Sequence, residues 1–452
     1  MKLMLSEIAK VLDGVLVGDD VLITSVGVDS RKVVDGMLFF AIKAARNGHG
    51  FAQDAINQGA QAAVFERDAI GEYGTPTRAI LVDSTQKALS RLASWWRHQF
   101  SVNIIAVVGS NGKTTTKEMI ASILSAAMPG ASYATPGNFN NDIGVPLSLF
   151  GLNETHQVAV IEIGMNHPGE VDCLADIVRP HIAVMTNAQR EHMAFFSSLK
   201  DVARSNAEVF QWTDHHGLAV LNADDEFCDF WADQNRQRTI ITYGLTDRAD
   251  IRANYESVDD GVQIDLLTPK GHRRVNMGVA GEHNVRNALG AVAAAWAAGI
   301  DLDDIVEGLS RFVPVNGRLQ FKTSANGATV IDDTYNANPD SMEAAINVLS
   351  VRKGCRILIV GDMGETGQKG LSFHAEIGKI ATTAKIDMLL SLGELSREAG
   401  RYFDGQKQHF NDKQTLIDFV KPYLTEGTTV LVKGSRFMKM EEIVSALTEK
   451  KV

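Results

Sequence analysis

Residues 103–116 read NIIAVVGSNGKTTT. The first six form a β-branched, apolar run, the pattern of a strand buried on both faces. Gly109 ends that run, and Lys113-Thr114-Thr115-Thr116 opens a helical pattern. A glycine-rich turn between a strand and a helix N-terminus is built to cradle phosphate. Backbone N–H groups wrap the anion and the helix dipole favours it. The lysine brings charge to the transferred group, and the first threonine offers its hydroxyl to Mg²⁺. The spacing is G-x-x-G-K-T-T, because Val107 stands where the longer G-x-x-x-x-G-K-[ST] loop has its first glycine. Gly109, Ser110, Asn111, Gly112, Lys113, Thr114 and Thr115 are therefore the candidate phosphate-binding residues. The bland alternative is a tight turn with an exposed lysine.

Outward from this loop, the chain divides into three blocks. Residues 1–99 carry short strand-like runs at Val15–Val17, Ile23–Val28, Met37–Ile42, Ala62–Phe65 and Ala79–Val82, with helical patterns at Ala52–Gln58 and Gln86–His98. That predicts a small N-terminal α/β domain. Ser6 is expected to cap a first short helix, with Ile8 and Leu12 inward and Gly14 ending it. Residues 100–313 continue from the phosphate loop with strand-like runs at Val158–Ile163, Ile182–Met185, Leu218–Leu221 and Thr239–Thr242. Strands alternating with helices predict a mostly parallel sheet in a P-loop-type ATPase domain. Val262–Leu267 and Arg274–Met277 flank the turn Thr268-Pro269-Lys270-Gly271 and suggest a small antiparallel appendage. Residues 314–452 give runs at Thr329–Ile331, Arg356–Val360, Met388–Leu392 and Thr428–Val432, a Rossmann-like pattern. The hinge between the last two blocks is expected at Arg311–Gly317. The fold class is α/β throughout.

Composition narrows the function. A net charge of −11 argues against non-specific nucleic-acid binding, which needs a basic surface. The three cysteines, Cys173, Cys228 and Cys355, are far apart and show no metal-ligand spacing. Glu7, Lys10 and Asp13 fall where a signal peptide would be apolar. The longest near-apolar run, Ala288–Ile300, is Ala-rich and short of the roughly 20 residues that span a bilayer. It predicts a buried helix in a cytoplasmic protein without membrane insertion.

The shortened phosphate loop resembles that of the Mur ligases and of their relative folylpolyglutamate synthetase. Further stretches fit in family order: TPGNFNNDIGVP at 135–146, EIGMNH at 162–167, GEHN at 281–284, Gly317-Arg318, DDTYNANP at 332–339, GDMGE at 361–365 and KGSR at 433–436. The resemblance implies an ATP- and Mg²⁺-dependent carboxylate–amine ligase working through an acyl phosphate, expected as a monomer. The DTYNANP and GDMGE versions imply D-alanyl-D-alanine as the amine and UDP-N-acetylmuramoyl-tripeptide as the carboxylate. Rival readings are a ligase of this fold with a different acceptor, and a nucleotide-dependent switch that makes no bond.

The same resemblance assigns residues. Lys113, Glu162, His192 and Arg318 are the implied catalytic set, with Thr114, Glu162 and His192 at the metal. Without the resemblance, His192 reads as a structural histidine. Asn284 is implied at the adenine, and a helix N-cap is an equally good use of it. Asp333 is implied at the ATP ribose. Asn138, Asn141, Tyr335, Asn336 and Asn338 are implied around the substrates, although Asn-rich stretches also make turns. Lys433 and Arg436 would meet a substrate carboxylate or phosphate, or else lie in a solvated loop. Ser30 and Arg31 would touch the UDP part, with an ordinary surface arginine as the alternative. One position departs from the family: Asn206 falls where most members carry a carbamylated lysine, and asparagine forms no carbamate. The expectation is catalysis without carbamylation, with Glu162, His192 and the Asn206 amide oxygen at the site. Domain closure is expected to bring Arg318 to the γ-phosphate.

Overall fold

Three large sheets and a two-stranded ribbon organise the computed structural model, which describes residues 1–448. The last residues of the expected third block, 449–452, lie outside the described residues. In the first block, β1 (Leu3–Met4) pairs with β3 (Leu22–Ile23) as the ribbon. Strands β2 (Val15–Val17), β4 (Ser25–Gly27), β5 (Met37–Phe40), β6 (Ala62–Glu66) and β7 (Ala79–Val82) form one sheet in the order β2-β7-β6-β5-β4. Only β2 runs antiparallel to its neighbour there.

The central sheet contains β8 (Asn103–Val108), β9 (Ser132–Ala134), β10 (Val158–Glu162), β11 (Ile182–Met185), β12 (Leu218–Asn222), β13 (Thr239–Gly244), β14 (Ile251–Val258), β15 (Gly261–Thr268) and β16 (Gly271–Met277). Their order is β16-β15-β14-β13-β12-β11-β8-β10-β9. Strand β8 lies between β10 and β11, and Ile104 to Val108 are 0% exposed. Burial on both faces explains why the run is apolar without alternation. The chain fills the β10 side first and crosses to the β11 side afterwards. The crevice at that reversal, beyond the carboxyl ends of the strands, is where open parallel sheets bind ligands.

The third sheet joins β17 (Gln320–Thr323), β18 (Thr329–Asp333), β19 (Cys355–Gly361), β20 (Met388–Leu392), β21 (Gln406–Phe410) and β22 (Thr428–Lys433) in the order β17-β18-β22-β19-β20-β21. All pairings are parallel except β17 with β18.

Three expectations need correction. The run Ile23–Val28 is not one strand, since β3 and β4 belong to different sheets. The β14–β16 meander is antiparallel within itself, but it continues the main sheet. Tyr243 and Gly244 of β13 pair in parallel with Ile251 and Arg252 of β14. The turn at Thr268–Gly271 was visible in the sequence, whereas the partner of the unpaired edge was not. Ser6 does not cap the first helix either. That helix spans Leu5–Leu12, Met4 precedes it, and Ser6 instead donates through its N–H and its hydroxyl to Asp20. Asp13, at φ 53°, ends the helix rather than Gly14.

The helix Lys113–Ala127 carries the phosphate loop's lysine and packs against Glu282–Ala297 and Leu302–Ser310. Ile120, Ile123 and Leu124 share a core with Val285, Leu289, Ile305 and Leu309. Ala288 to Ala295 are buried, as the Ala-rich run predicts. The closest approach falls at Gly308, where an added Cβ would lie 2.3 Å from the Ile123 Cα. In an open helix, Gly→Ala gains about 1 kcal/mol. Here the methyl would meet backbone, so an overpacking cost of about 1–3 kcal/mol prevails. Gly308→Ala should therefore lower the urea midpoint at unchanged m-value; an unchanged or higher midpoint would mean that the helices can separate freely.

Candidate active site

The phosphate loop takes its shape from two glycines and a neighbouring segment. Gly109 holds φ 130° and Gly112 φ 81°. A Cβ at these positions would lie 2.1 Å from Thr186 Oγ1 and 2.2 Å from Asn287 Oδ1 respectively. Ser110 N–H and Asn111 N–H donate to the backbone and side-chain oxygens of Asn187, each at 2.9 Å. Asn187 Nδ2 donates back to Asn111 O at 3.0 Å, and Gln189 N–H donates to Ser110 Oγ at 2.9 Å. Lys113 is only 9% exposed. Its Nζ is folded over the loop, 2.6 Å from Gly109 O, 2.7 Å from Ser110 O and 3.3 Å from Glu191 Oε1. It would swing off these carbonyls to reach a phosphate.

Glu162 ends β10 opposite Val107 and is 1% exposed. Its Oε1 accepts from Thr114 Oγ1 at 2.9 Å and from Asn140 Nδ2 at 2.7 Å. Its Oε2 is buried with no partner. A buried carboxylate oxygen left open beside a threonine hydroxyl is a donor set that suits a small hard cation such as Mg²⁺. Thr114 and Glu162 therefore fit that ion. His192 fits it less well. Its Nε2 lies 3.0 Å from Glu191 Oε1, and its Nδ1 faces the Glu365 carboxylate. Burial opposes the imidazolium, but the two carboxylates outweigh it and the ring titrates above the ordinary histidine range. Among the described residues, no group of three or more His, Cys, Asp and Glu side chains gathers as a metal site. His192 would have to turn away from one carboxylate to meet a cation.

The third sheet supplies the opposite wall. Arg318 Nη2 donates to Thr114 Oγ1 at 2.9 Å, and its guanidinium lies 4.2 Å over the Tyr335 ring. Tyr335 in turn meets Asn138 through its hydroxyl. Asp333 pairs with Lys433 at 2.7 Å and accepts from Leu319 N–H at 3.1 Å. Lys433 also donates to Asn336 O at 2.8 Å and is 3% exposed, so the solvated-loop reading does not hold for it. Asn338 caps the helix Pro339–Ser350 and donates across to Asn111 Oδ1 at 2.8 Å. Arg190 clasps the same helix through Asp340 at 2.7 Å and reaches Glu376 at 2.8 Å.

Most of these groups line one cavity of about 470 Å³ that opens over the phosphate loop. Glu162, His192, Asn284, Arg318, Asp333, Tyr335 and Lys433 all face it, as do Asn138, Asn141, Asn336 and Asn338. A second cavity of about 490 Å³ adjoins it. Asn166, Glu191, His192, Tyr335, Asn336 and Asn338 line both, and Arg190, Arg436 and Phe437 line the second alone.

Several expected residues are placed differently. Asn284 is not the N-cap of its helix. Gly281 holds that position, and Asn284 sits in the first turn, donating to Ala280 O at 2.8 Å and accepting from Asn287 at 3.1 Å. Asn141 does act as a turn residue, accepting from Gly144 N–H at 2.8 Å. Ser30 and Arg31 line neither cavity; Arg31 is 82% exposed and forks onto Asp29. Arg436 is exposed and pairs with Glu441. Asn206 is buried in the helix Leu199–Ala207 and lines neither cavity, which leaves its expected place beside Glu162 and His192 unsupported. The reason is its helix face, shared with the core residues Val202 and Ala203. The sequence reading missed Asn140, Asn187, Arg190 and Glu191. Asn140 was hidden within FNN between two named asparagines, and Arg190-Glu191 stands directly before His192.

Comparison with known proteins agrees with this architecture block by block. Residues 22–97 match the model described as Mur ligase family, catalytic domain; 107–295 match the Mur ligase middle domain; 317–436 match the Mur ligase glutamate ligase domain. The chain is similar to the UDP-N-acetylmuramoyl-tripeptide–D-alanyl-D-alanine ligase of Escherichia coli, 38% identical over 98% of each chain. It is also similar to the Haemophilus influenzae enzyme of that name, 36% identical over 100% of this chain and 99% of the other. The crystal structure of MurF from Acinetobacter baumannii superposes with a TM-score of 0.92 at 32% identity, covering 100% of this chain and 99% of that one. With a phosphate loop, a buried strand-end carboxylate and an arginine from the third sheet meeting at one hydroxyl, and with full-length relatives at this identity, the chain belongs to the Mur ligase family.

Proposed function

We propose that this chain joins D-alanyl-D-alanine to UDP-N-acetylmuramoyl-tripeptide at the expense of ATP, in peptidoglycan precursor synthesis. The observation that carries the reading is the meeting of Lys113, Thr114, Glu162 and Arg318 on one cavity, in a chain similar along its whole length to ligases of that name. The domains run 1–99 for the UDP end, 100–313 for ATP and 314–452 for closure over both. The protein works as a cytoplasmic monomer, and no helix among its described residues is long and apolar enough to cross a membrane.

The chemistry divides into two transfers. The tripeptide carboxylate attacks the γ-phosphorus of ATP, ADP leaves, and an acyl phosphate forms. The dipeptide amine then attacks the acyl carbon, and the tetrahedral intermediate expels phosphate. Such transfers depend on positioning and charge neutralisation. Gly109 to Thr115 cradle the phosphates, with Lys113 moving from its own loop's carbonyls onto them. Arg318 reaches the same place from the other side. Mg²⁺ held by Thr114 and Glu162 neutralises phosphate charge when bound. Asn284 borders the adenine end, and Asp333, held by Lys433, accepts from the ribose. The second cavity suits the dipeptide. Arg190 and Arg436 would meet its carboxylate by releasing carboxylates they now hold, and Tyr335, Asn336 and Asn338 bridge to the reacting end. Asn138 and Asn141 border the tripeptide arm, and Ser30 and Arg31 meet the UDP part.

Phosphate release from Mg-ATP should require both UDP-N-acetylmuramoyl-tripeptide and D-alanyl-D-alanine, and Lys113→Ala should abolish it. Release that ignores the dipeptide would keep the ATP site and overturn the acceptor assignment.

Arg318→Ala should lower kcat by about 10³-fold, the scale of an arginine placed on transferring phosphate, with KM for ATP changed far less. A variant whose only defect is a raised KM would assign Arg318 to ground-state binding.

Since Asn206 forms no carbamate, rates should be equal in bicarbonate-depleted and bicarbonate-supplemented buffer. A collapse on depletion that bicarbonate restores would place a carbamylated lysine elsewhere in the chain.

A further inference from the structure

Lys117 is a lysine with 0% exposure, one helical turn beyond Lys113. An ammonium group has three donors and no acceptor. All three are used here: Nζ donates to Thr135 O at 2.9 Å, to Gly137 O at 2.8 Å and to the Glu118 carboxylate. Burying such a charge is expensive, and an apolar side chain of similar size usually serves stability as well or better. Stability therefore gives little reason for a lysine at this position; the direction of its three donors does.

Those donors fix the segment where the β9 edge strand ends. Strand β9 pairs with β10 only as far as Ala134 and Val160, after which the chain turns away through Thr135–Gly137. Thr135 Oγ1 accepts from Glu162 N–H at 3.0 Å. Three residues after Gly137, Asn140 places its Nδ2 2.7 Å from Glu162 Oε1 and accepts from Gly164 N–H through its backbone oxygen at 2.8 Å. Thr114, on the same helix as Lys117, donates to that same Oε1. One helix thus holds Glu162 twice, directly through Thr114 and indirectly through Lys117, the loop and Asn140. The second oxygen, Oε2, is left unpartnered as a result.

We propose that Lys117 is a positioning residue: its buried ammonium pins the Thr135–Gly137 loop so that Asn140 orients Glu162 and keeps Oε2 open for a divalent cation bound with ATP. The inference rests on the reading of Glu162 as the Mg²⁺ carboxylate.

Calorimetric titration of ATP into the full-length protein, without the other substrates, separates the two ideas when run with Mg²⁺ and with EDTA. Lys117→Met and Asn140→Ala should each reduce the Mg²⁺-dependent gain in ATP affinity by about tenfold, the scale of a hydrogen bond to a charged group. Affinity in EDTA should stay within about twofold, because the phosphate loop is untouched. The double variant should be no worse than Asn140→Ala, since both act through one contact. Lys117→Arg, which keeps charge and donors, should retain most of the gain. A Lys117→Met protein with a lowered Tm but the full Mg²⁺-dependent gain would overturn the proposal, leaving a purely structural lysine. Should Lys117→Met not fold, Asn140→Ala decides: an undiminished gain overturns the proposal. Equal ATP affinity of the unaltered protein in Mg²⁺ and in EDTA would remove the Glu162 reading itself, and the inference with it.

Discussion

The Glu162 carboxylate is the constraint around which the central sheet is arranged. At 1% exposure it has lost its water, and its two oxygens have unequal surroundings. One accepts two hydrogen bonds and the other none. An unmatched buried oxygen costs about 1–3 kcal/mol, more when it carries charge. The matched oxygen draws on two segments directly and on a third that braces one of them. Strand β8 must lie beside β10 so that its following helix presents Thr114. Strand β9 must end where it does so that the next loop delivers Asn140. The segment after Phe312 must bring Arg318 onto Thr114. Loss of any one would remove a donor, or the brace of a donor, from the matched oxygen.

How much of this was legible in the sequence depends on how local each cause is. Strands β8, β10 and β11 were readable because burial on both faces forces an unbroken apolar run. Strand β9 (SYA) and β21 (QKQHF) were not, because each is an edge strand and β21 is largely exposed, so neither needs an apolar pattern. The hairpin at Thr268–Gly271 announced itself through its turn residues. Its attachment to β13 rests on two residue pairs far from that turn, which no local pattern encodes.

The site divides in the same way. Gly109, Gly112, Lys113 and Thr114 form one continuous motif whose spacing is its own signal. Glu162 was readable as the polar end of an apolar strand. Asn140, Asn187 and Glu191 reach the site through partners 22 to 78 positions away in the chain, and by themselves are ordinary loop residues. Asn284 shows the opposite error. It has the right residue type for an N-cap beside the right helix, but the preceding glycine, at φ 95°, makes the turn into the helix and leaves the asparagine inside it.

The joint between the central and third sheets links nucleotide binding to domain contact through charge. Lys113 leans on Glu191, Glu191 on His192, and His192 on Glu365 of the third block, so a row of contacts runs from the phosphate loop across the joint. Beside this row, Asn338 uses its oxygen to cap a third-block helix and its amide nitrogen to hold Asn111 of the loop. A polyphosphate in the loop would take Lys113 from Glu191 and leave that carboxylate to His192 alone. Because a ligand moves a conformational equilibrium only by its differential affinity for the two states, a phosphate would bias the domain contact only to the extent that Lys113 exchanges Glu191 for it. The reciprocal follows from linkage: whatever holds the third block against the loop also changes how readily Lys113 leaves it.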